Sequence, residues 1–161
     1  MKRTLVPTCV VCVVLLAAAM AASKATHLFY TIESDCFFLA NPLDYVTHEA
    51  DGWLFLEGFP IAGNYVRQYD GTEVPGALLV EVNGKVTPDG ADGNFHGPVS
   101  LYIDGMDCVG RFRAKRVDFY ETGSWVMQCP DGSKIQDTFH FWFTGPVFYA
   151  EGSGRLLTPH E

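Results

Sequence analysis

Closely spaced Asp-Gly and Asn-Gly pairs punctuate this sequence, and such pairs supply the positive backbone φ angles that tight β-hairpin turns need. Six Asp-Gly pairs and one Asn-Gly pair lie between residues 51 and 132, separated by short runs rich in β-branched and aromatic residues. After residue 25 no run has the apolar spacing of an amphipathic helix. The pattern predicts an all-β protein, either a single antiparallel β-barrel or a β-sandwich of about eight to ten short strands.

Two hairpins are the clearest in this pattern. The runs ALLVEV and KVT flank Asn83-Gly84, and the runs PVSLYI and MDCVGRF flank Asp104-Gly105. Both dipeptides are typical of two-residue hairpin turns. We therefore predict a turn at residues 83–84 and another at residues 104–105.

The apolar side chains change parity near Lys115-Arg116. Cys108, Phe112 and Ala114 share one parity, whereas Val117 and Phe119 have the opposite one. Strand side chains alternate with a period of two, so the apolar face would switch sides at this point. A β-bulge or a strand break near residues 115–116 would reconcile the two halves.

The first 25 residues have the composition of a secretory signal peptide. Lys2 and Arg3 precede an uncharged run from Thr4 to Ser23, and residues 19–21 read Ala-Met-Ala, a small-residue cleavage site. We expect residues 1–21 to be removed, with cleavage as late as residue 25, and the mature chain to be secreted or periplasmic with no membrane attachment. The alternative is a retained anchor, because the run is about 20 residues long and just able to span a bilayer.

The part that follows is expected to be one folding unit. Residues 26–50 contain an N-terminal strand and a loop, and residues 51–161 form the hairpin-rich part of the same domain. The chain has 11 Lys and Arg against 19 Asp and Glu, a net charge of -8. An acidic surface excludes a general nucleic-acid binder, because phosphate neutralisation needs basic residues.

Three cysteines lie beyond the predicted signal peptide: Cys36, Cys108 and Cys129. In an oxidising compartment any two of them can pair, so three bridges, or none, are open. If residues 108–120 form one strand that turns at Thr122-Gly123, Cys108 and Cys129 lie about 26 Å apart, too far for a bridge. A sharp turn at the parity change would bring them together.

Two pairs of residues are candidate ligand contacts. His140 and Trp142 share one strand face and alternate with phenylalanines, which indicates a ligand-binding face. Arg111 and Arg113 share another strand face in an acidic protein and are candidates for contact with an anion. The alternative for the arginines is a solvated face that protects a strand edge by its charge.

The sequence carries no motif for nucleophilic catalysis or for metal binding, so we expect no catalytic residue, metal ion or cofactor. The expected function is that of an exported, non-enzymatic β-domain that binds or interacts with an unknown protein or a small apolar ligand. One alternative is a small β-barrel carrier of an apolar ligand, suggested by an aromatic content of 14%. Another is a small β-barrel isomerase or hydrolase, which requires His140 or His96 to meet a carboxylate in a pocket.

Overall fold

The computed structural model describes residues 26–144 and 147–159, so the predicted signal peptide at residues 1–21 lies outside the described residues. The described chain is all-β and antiparallel, as expected from the turn pattern, with one short 3₁₀ helix. Its elements are β1 (Thr26–Phe38), the 3₁₀ helix (Pro42–Tyr45), β2 (Val46–Ala50), β3 (Trp53–Tyr69), β4 (Thr72–Val86), β5 (Gly93–Ile103), β6 (Met106–Val117), β7 (Tyr120–Gln128), β8 (Lys134–Thr144) and β9 (Val147–Thr158).

Eight of these strands close into a barrel, in the order β1, β3, β4, β5, β6, β7, β8, β9 and back to β1. Closure depends on β3, which is 17 residues long and has two partners along one edge. Its first residues pair with β2, and residues 61–68 pair with β1. The pairing of β1 with β9 completes the ring. The structure therefore decides for a barrel over a sandwich, with β2 as one extra strand.

Tight turns join several neighbouring strands. Residues 51–52, 70–71 and 104–105 are Asp-Gly pairs that connect β2 to β3, β3 to β4 and β5 to β6. Both residues of each pair have positive φ, the geometry of a type I′ turn. The turn between β6 and β7 has the same signs of φ but is made by Asp118 and Phe119, at 50° and 65°.

The predicted turn at Asn83-Gly84 is wrong, because both residues lie inside β4. They sit opposite a β-bulge in β3, between Leu56 and Phe59. The side-chain Oδ1 of Asn83 accepts a hydrogen bond from the backbone N–H of Gly58 at 2.9 Å. The Asn-Gly pair therefore stabilises a bulge, and the connection from β4 to β5 is made by residues 87–92.

Near Lys115-Arg116 the structure has no β-bulge, and the predicted strand break lies two residues later, at the turn formed by residues 118–119. Strand β6 pairs with β7 without a register shift up to Val117. The alternation of β6 continues to its end, so Ala114 and Arg116 face inward while Lys115 and Val117 are exposed. The apparent change of parity arises because an arginine occupies the last inward position of the strand.

The early turn at residues 118–119 explains the disulfide. Because the turn is not at Thr122-Gly123, which lies inside β7, Val109 pairs with Gln128. Cys108 then meets Cys129 across the two strands, with their Cα atoms 4.1 Å apart, and the two form a disulfide. Cys36 is a free, buried thiol. Among the described residues no helix is long and apolar enough to cross a membrane.

Candidate functional site: an apolar cavity inside the barrel

One end of the barrel, beside the turns at 70–71 and 104–105, is filled by hydrogen-bonded side chains. The carboxylate of Asp137 accepts hydrogen bonds from Tyr30 Oη at 2.6 Å, Tyr65 Oη at 3.0 Å and Trp125 Nε1 at 2.5 Å. The Arg67 guanidinium lies 5.4 Å from the centre of the Tyr30 ring. It also donates to the Asp104 carboxylate at 2.7 Å. We call Tyr30, Tyr65, Arg67, Trp125 and Asp137 the polar plug.

Burial controls the ionisation of the polar plug. It raises the pKa of Asp137, although the three donors and the nearby Arg67 act in the opposite direction. Burial and the neighbouring Asp137 also raise the pKa of Tyr30 and Tyr65 far above the ordinary tyrosine range. A buried carboxyl group is tolerated in a core only when its oxygens are hydrogen-bonded, and here donors reach both oxygens.

The other half of the barrel encloses a cavity of about 360 Å³. Its volume lies in the range of small-molecule sites, roughly 300–1,000 Å³. Its walls are mainly aliphatic and aromatic side chains from several strands, among them Leu56, Leu78, Val80, Phe95, Phe139 and Phe141. Trp125 lines the cavity and also belongs to the polar plug, so its indole marks the boundary between the two halves.

The cavity reaches the surface at the end opposite the polar plug. Its lining there includes Leu43 of the 3₁₀ helix and Phe119 of the β6–β7 turn. Their side chains are 67% and 57% exposed, so this mouth has an apolar rim. The connection at residues 87–92 forms another side of the mouth and is tied to the β6–β7 turn, because the Phe119 N–H donates to the Ala91 carbonyl at 2.9 Å.

A charged pair lines the cavity just inside the mouth. Arg116 of β6 donates from Nε at 3.1 Å and from Nη2 at 2.8 Å, and both hydrogen bonds end on Oε2 of Glu121 in β7. The two side chains are 15% and 9% exposed. Burial raises the pKa of Glu121, while Arg116 beside it acts in the opposite direction. Arg116 also donates from Nη1 to the Gly90 carbonyl at 3.2 Å, which holds the rim in place.

The free thiol of Cys36 is another polar group in the cavity lining. The residue is 1% exposed, and the Ser34 hydroxyl lies 3.3 Å from its sulfur. Burial raises the pKa of the Cys36 thiol to about 11, so the thiol is protonated at neutral pH. It therefore contributes to the cavity as a small, nearly apolar side chain.

The ligand residues predicted from the sequence lie elsewhere. His140 and Trp142 are on the outer face of β8, while Phe139 and Phe141 of the same strand face the cavity. On the outside the two residues belong to a row of stacked rings: Tyr120 and His140 are 5.9 Å apart, His140 and Trp142 5.6 Å, and Trp142 and Tyr149 6.1 Å. This row runs across β7, β8 and β9. The predicted role of His140 and Trp142 in ligand binding therefore stays a prediction, and it concerns the outer surface.

Arg111 and Arg113 are exposed on the outer face of β6, so they do not line the cavity. His96 is exposed in a shallow groove on the outside of the barrel, beside His48 and Glu57. Neither His96 nor His140 thus reaches the interior cavity. Within the described ranges no three His, Cys, Asp or Glu side chains are grouped so that they could hold a metal ion.

Sequence reasoning missed Arg116 and Glu121, the charged pair inside the mouth. The missed signal is a pair of opposite charges five residues apart, which face each other when a two-residue turn lies midway. The turn itself carried no such signal, because Asp118-Phe119 is not a usual hairpin dipeptide.

The fold and the cavity define a class of protein: a closed antiparallel β-barrel with a largely apolar cavity that opens at one end. Comparison of the chain with protein-family models, with curated proteins and with solved structures found no match.

Proposed function

We propose that this protein is an exported carrier of a small apolar ligand, which it holds inside the β-barrel. The observation that carries the proposal is the cavity of about 360 Å³ with aliphatic and aromatic walls and an open, apolar mouth. An eight-stranded barrel has an interior just wide enough to be filled by side chains or to hold one small ligand. Transfer of an apolar molecule from water into such walls is favourable.

The location outside the cytoplasm is the second part of the proposal. It is supported by the Cys108–Cys129 disulfide, since disulfides persist in oxidising compartments. The composition of residues 1–25 supports the same location. A secreted or periplasmic carrier would release or collect its ligand outside the cell membrane.

A second candidate function is an interaction module that uses the outer surface. The row formed by Tyr120, His140, Trp142 and Tyr149 favours it, because exposed aromatic side chains are enriched at protein interfaces. Arg111 and Arg113 on the neighbouring outer face could add contact with an anionic group. In an interaction module the binding residues lie outside the barrel, whereas in a carrier they lie inside it. One set of variants therefore distinguishes the two candidate functions.

The carrier is tested with N-phenyl-1-naphthylamine, a neutral fluorophore whose emission rises in apolar surroundings. We expect saturable binding to the folded protein. Leu78 and Leu79 are neighbours on β4, but Leu78 lines the cavity and Leu79 is exposed on the outside. Leu78→Trp should fill the cavity and abolish binding, whereas Leu79→Trp and Trp142→Ala should bind as the wild type does.

Circular dichroism of each variant shows whether it is folded, and Val82→Phe replaces Leu78→Trp if the latter does not fold. Binding that survives the folded cavity variants but is lost in Trp142→Ala would overturn the carrier and favour the outer surface. The mass of the protein from its native host gives an independent test. A native mass above the denatured mass by a few hundred daltons would identify a retained ligand.

A further inference from the structure

We infer that Glu121 is the polar recognition group of the cavity, and that the ligand is an uncharged apolar alcohol whose hydroxyl donates a hydrogen bond to Glu121 Oε1. This inference rests on the proposed carrier function. It assigns a chemical class to the ligand, a hydrocarbon body with a single hydrogen-bond donor near the mouth.

The geometry of the charged pair carries the inference. Both hydrogen bonds that Arg116 donates to Glu121 end on Oε2, and among the described residues no side chain or backbone N–H donates to Oε1. Glu121 lines the cavity, and its side chain is only 9% exposed. A carboxylate oxygen without a donor, in a residue that lines a largely apolar cavity, gains a charge-assisted hydrogen bond from a donor that a bound molecule delivers.

The surroundings of Glu121 explain why the donor should come from an alcohol. Arg116 lies on one side of it, and Phe141 is beside it in the adjacent strand β8. Most of the other side chains that line the cavity are apolar. A long polar ligand would leave its other polar groups unpaired against those walls. The positive charge of Arg116 is already matched by Glu121, so a ligand carboxylate would bring a second negative charge into the pair.

The test compares three molecules that share a ten-carbon chain and differ in their polar end: 1-decanol, decyl methyl ether and decanoate. Each is used to displace N-phenyl-1-naphthylamine at about pH 8, a mildly alkaline pH chosen because burial raises the pKa of Glu121 and the test needs its carboxylate form. A hydrogen bond to a charged group corresponds to about a tenfold or larger change in affinity. We expect 1-decanol to bind at least about tenfold more tightly than either the ether or decanoate.

Glu121→Gln is the decisive variant. Its amide oxygen can still accept from Arg116, and its amide NH₂ group then presents a donor to the cavity. The preference for 1-decanol over the ether should fall to about twofold or less, because the ether oxygen can now accept. Decanoate should bind more tightly than it does to the wild type, because the negative charge of Glu121 no longer repels its carboxylate. Glu81 is an exposed carboxylate on β4, and the control variant Glu81→Gln should leave all three affinities unchanged.

The outcomes separate the two proposals. If the fluorophore binds in the cavity but 1-decanol and the ether compete equally, the role of Glu121 is overturned and the carrier stands. Tighter binding of decanoate than of 1-decanol to the wild type would overturn the ligand class. If the fluorophore does not bind to folded wild-type protein, the carrier itself is wrong. If Glu121→Gln does not fold, the double variant Arg116→Met/Glu121→Leu takes its place, and a preference for 1-decanol that persists in it overturns the role of Glu121.

Discussion

The indole Nε1 of Trp125 donates a hydrogen bond to Asp137 Oδ2 at 2.5 Å, and this contact joins the floor of the cavity to the polar plug. Phe139 packs on the indole from the next strand, with the ring centres 4.4 Å apart. Through these contacts the buried carboxyl group fixes the orientation of the largest aromatic side chain in the cavity lining. The plug therefore sets the depth and shape of the space available to a ligand.

Substitution of Asp137 tests this relationship. Asp137→Ala leaves three buried donors without their acceptor, and each unsatisfied group costs about 1–3 kcal/mol. We expect the free energy of unfolding to fall by about 3 kcal/mol or more. Asp137→Asn should cost about 1 kcal/mol or less, because a tyrosine hydroxyl can rotate to accept from the amide while Trp125 keeps an oxygen acceptor. Urea unfolding of the two variants measures the difference.

The wild type and Asp137→Asn should also differ in how their stability depends on pH. Burial raises the pKa of Asp137, so its contribution to stability is complete below the ordinary value and is lost as the pH rises through the raised pKa. Asparagine does not titrate. The stability of Asp137→Asn relative to the wild type should therefore increase from acid to neutral pH, and a constant difference would contradict the assignment.

The tyrosines of the polar plug predict an alkaline transition. The pKa values of Tyr30 and Tyr65 are raised by burial and by Asp137, so the folded protein holds both as neutral phenols. Their contribution to stability is present below about pH 10, the ordinary tyrosine pKa, and is lost as the pH rises above it. We expect two of the seven tyrosines to ionise only when the protein unfolds. Tyrosinate absorbance and circular dichroism, recorded in one titration, should change together for these two groups.

Tyr65→Phe supplies the matched control for the alkaline transition. It removes a hydrogen bond to Asp137 and should lower stability at neutral pH by about 1 kcal/mol or more. It also removes one group that resists ionisation, so stability should fall less steeply above about pH 10. An unchanged slope would show that Tyr65 does not take part in the transition.

The disulfide gives a separate prediction about stability. Cys108 and Cys129 are 21 residues apart, and the link between them removes chain entropy from the unfolded state. Replacement of both by alanine should lower the free energy of unfolding by roughly 3 kcal/mol in the chain-entropy model. Cys36→Ala is the control for loss of a buried sulfur without loss of a cross-link. Equal effects of the two changes would mean that packing, and not the cross-link, accounts for the loss.

The reactivity of Cys36 reports on access to the cavity. Its pKa of about 11 leaves little thiolate at neutral pH, and its burial excludes a charged reagent. We expect iodoacetate to modify Cys36 only after unfolding. A small neutral maleimide can enter through the mouth and should react slowly with the folded protein. A saturating amount of 1-decanol should slow this reaction severalfold, and mass spectrometry of the alkylated peptide measures it. Equal rates with and without 1-decanol would place the bound molecule away from Cys36.

Local pattern was enough to predict the strands but not which strand ends meet. The alternation of ALLVEV correctly separates Leu78, Val80 and Val82, which are buried, from the exposed residues between them. Barrel closure depends on the pairing of residues 26–37 with residues 147–158, more than 100 positions away. No local signal specifies such a contact. The turn at Asp118-Phe119 was missed for a related reason, since a phenylalanine at positive φ is uncommon and is held there by the strands on either side.

The site was missed because both faces of β8 are rich in aromatic side chains. Periodicity separates Phe139 and Phe141 from His140 and Trp142, but it does not say which set faces the interior. In the barrel the phenylalanines line the cavity, and the polar ring nitrogens of the other two remain outside. Burial favours the residues without a polar atom, which is the physical reason for this choice. A rule that places the less polar aromatic set inside would have found the cavity wall.

The charged pair inside the mouth offers a last test, because it separates a role in folding from a role in ligand recognition. Removal of one partner leaves a buried charge, so Arg116→Met alone should lower the free energy of unfolding by about 3 kcal/mol. The double variant Arg116→Met/Glu121→Leu removes both charges, and replacement of a buried pair by apolar residues is often neutral or stabilising.

We therefore expect the double variant to be within about 1 kcal/mol of the wild type in urea unfolding. It should still bind N-phenyl-1-naphthylamine but should no longer prefer 1-decanol over decyl methyl ether. A double variant as unstable as Arg116→Met would show that the pair is needed to hold the rim at Gly90. Its charges would then serve the fold. A stable double variant without the preference would mean that the pair is retained for the ligand, since the barrel closes without it.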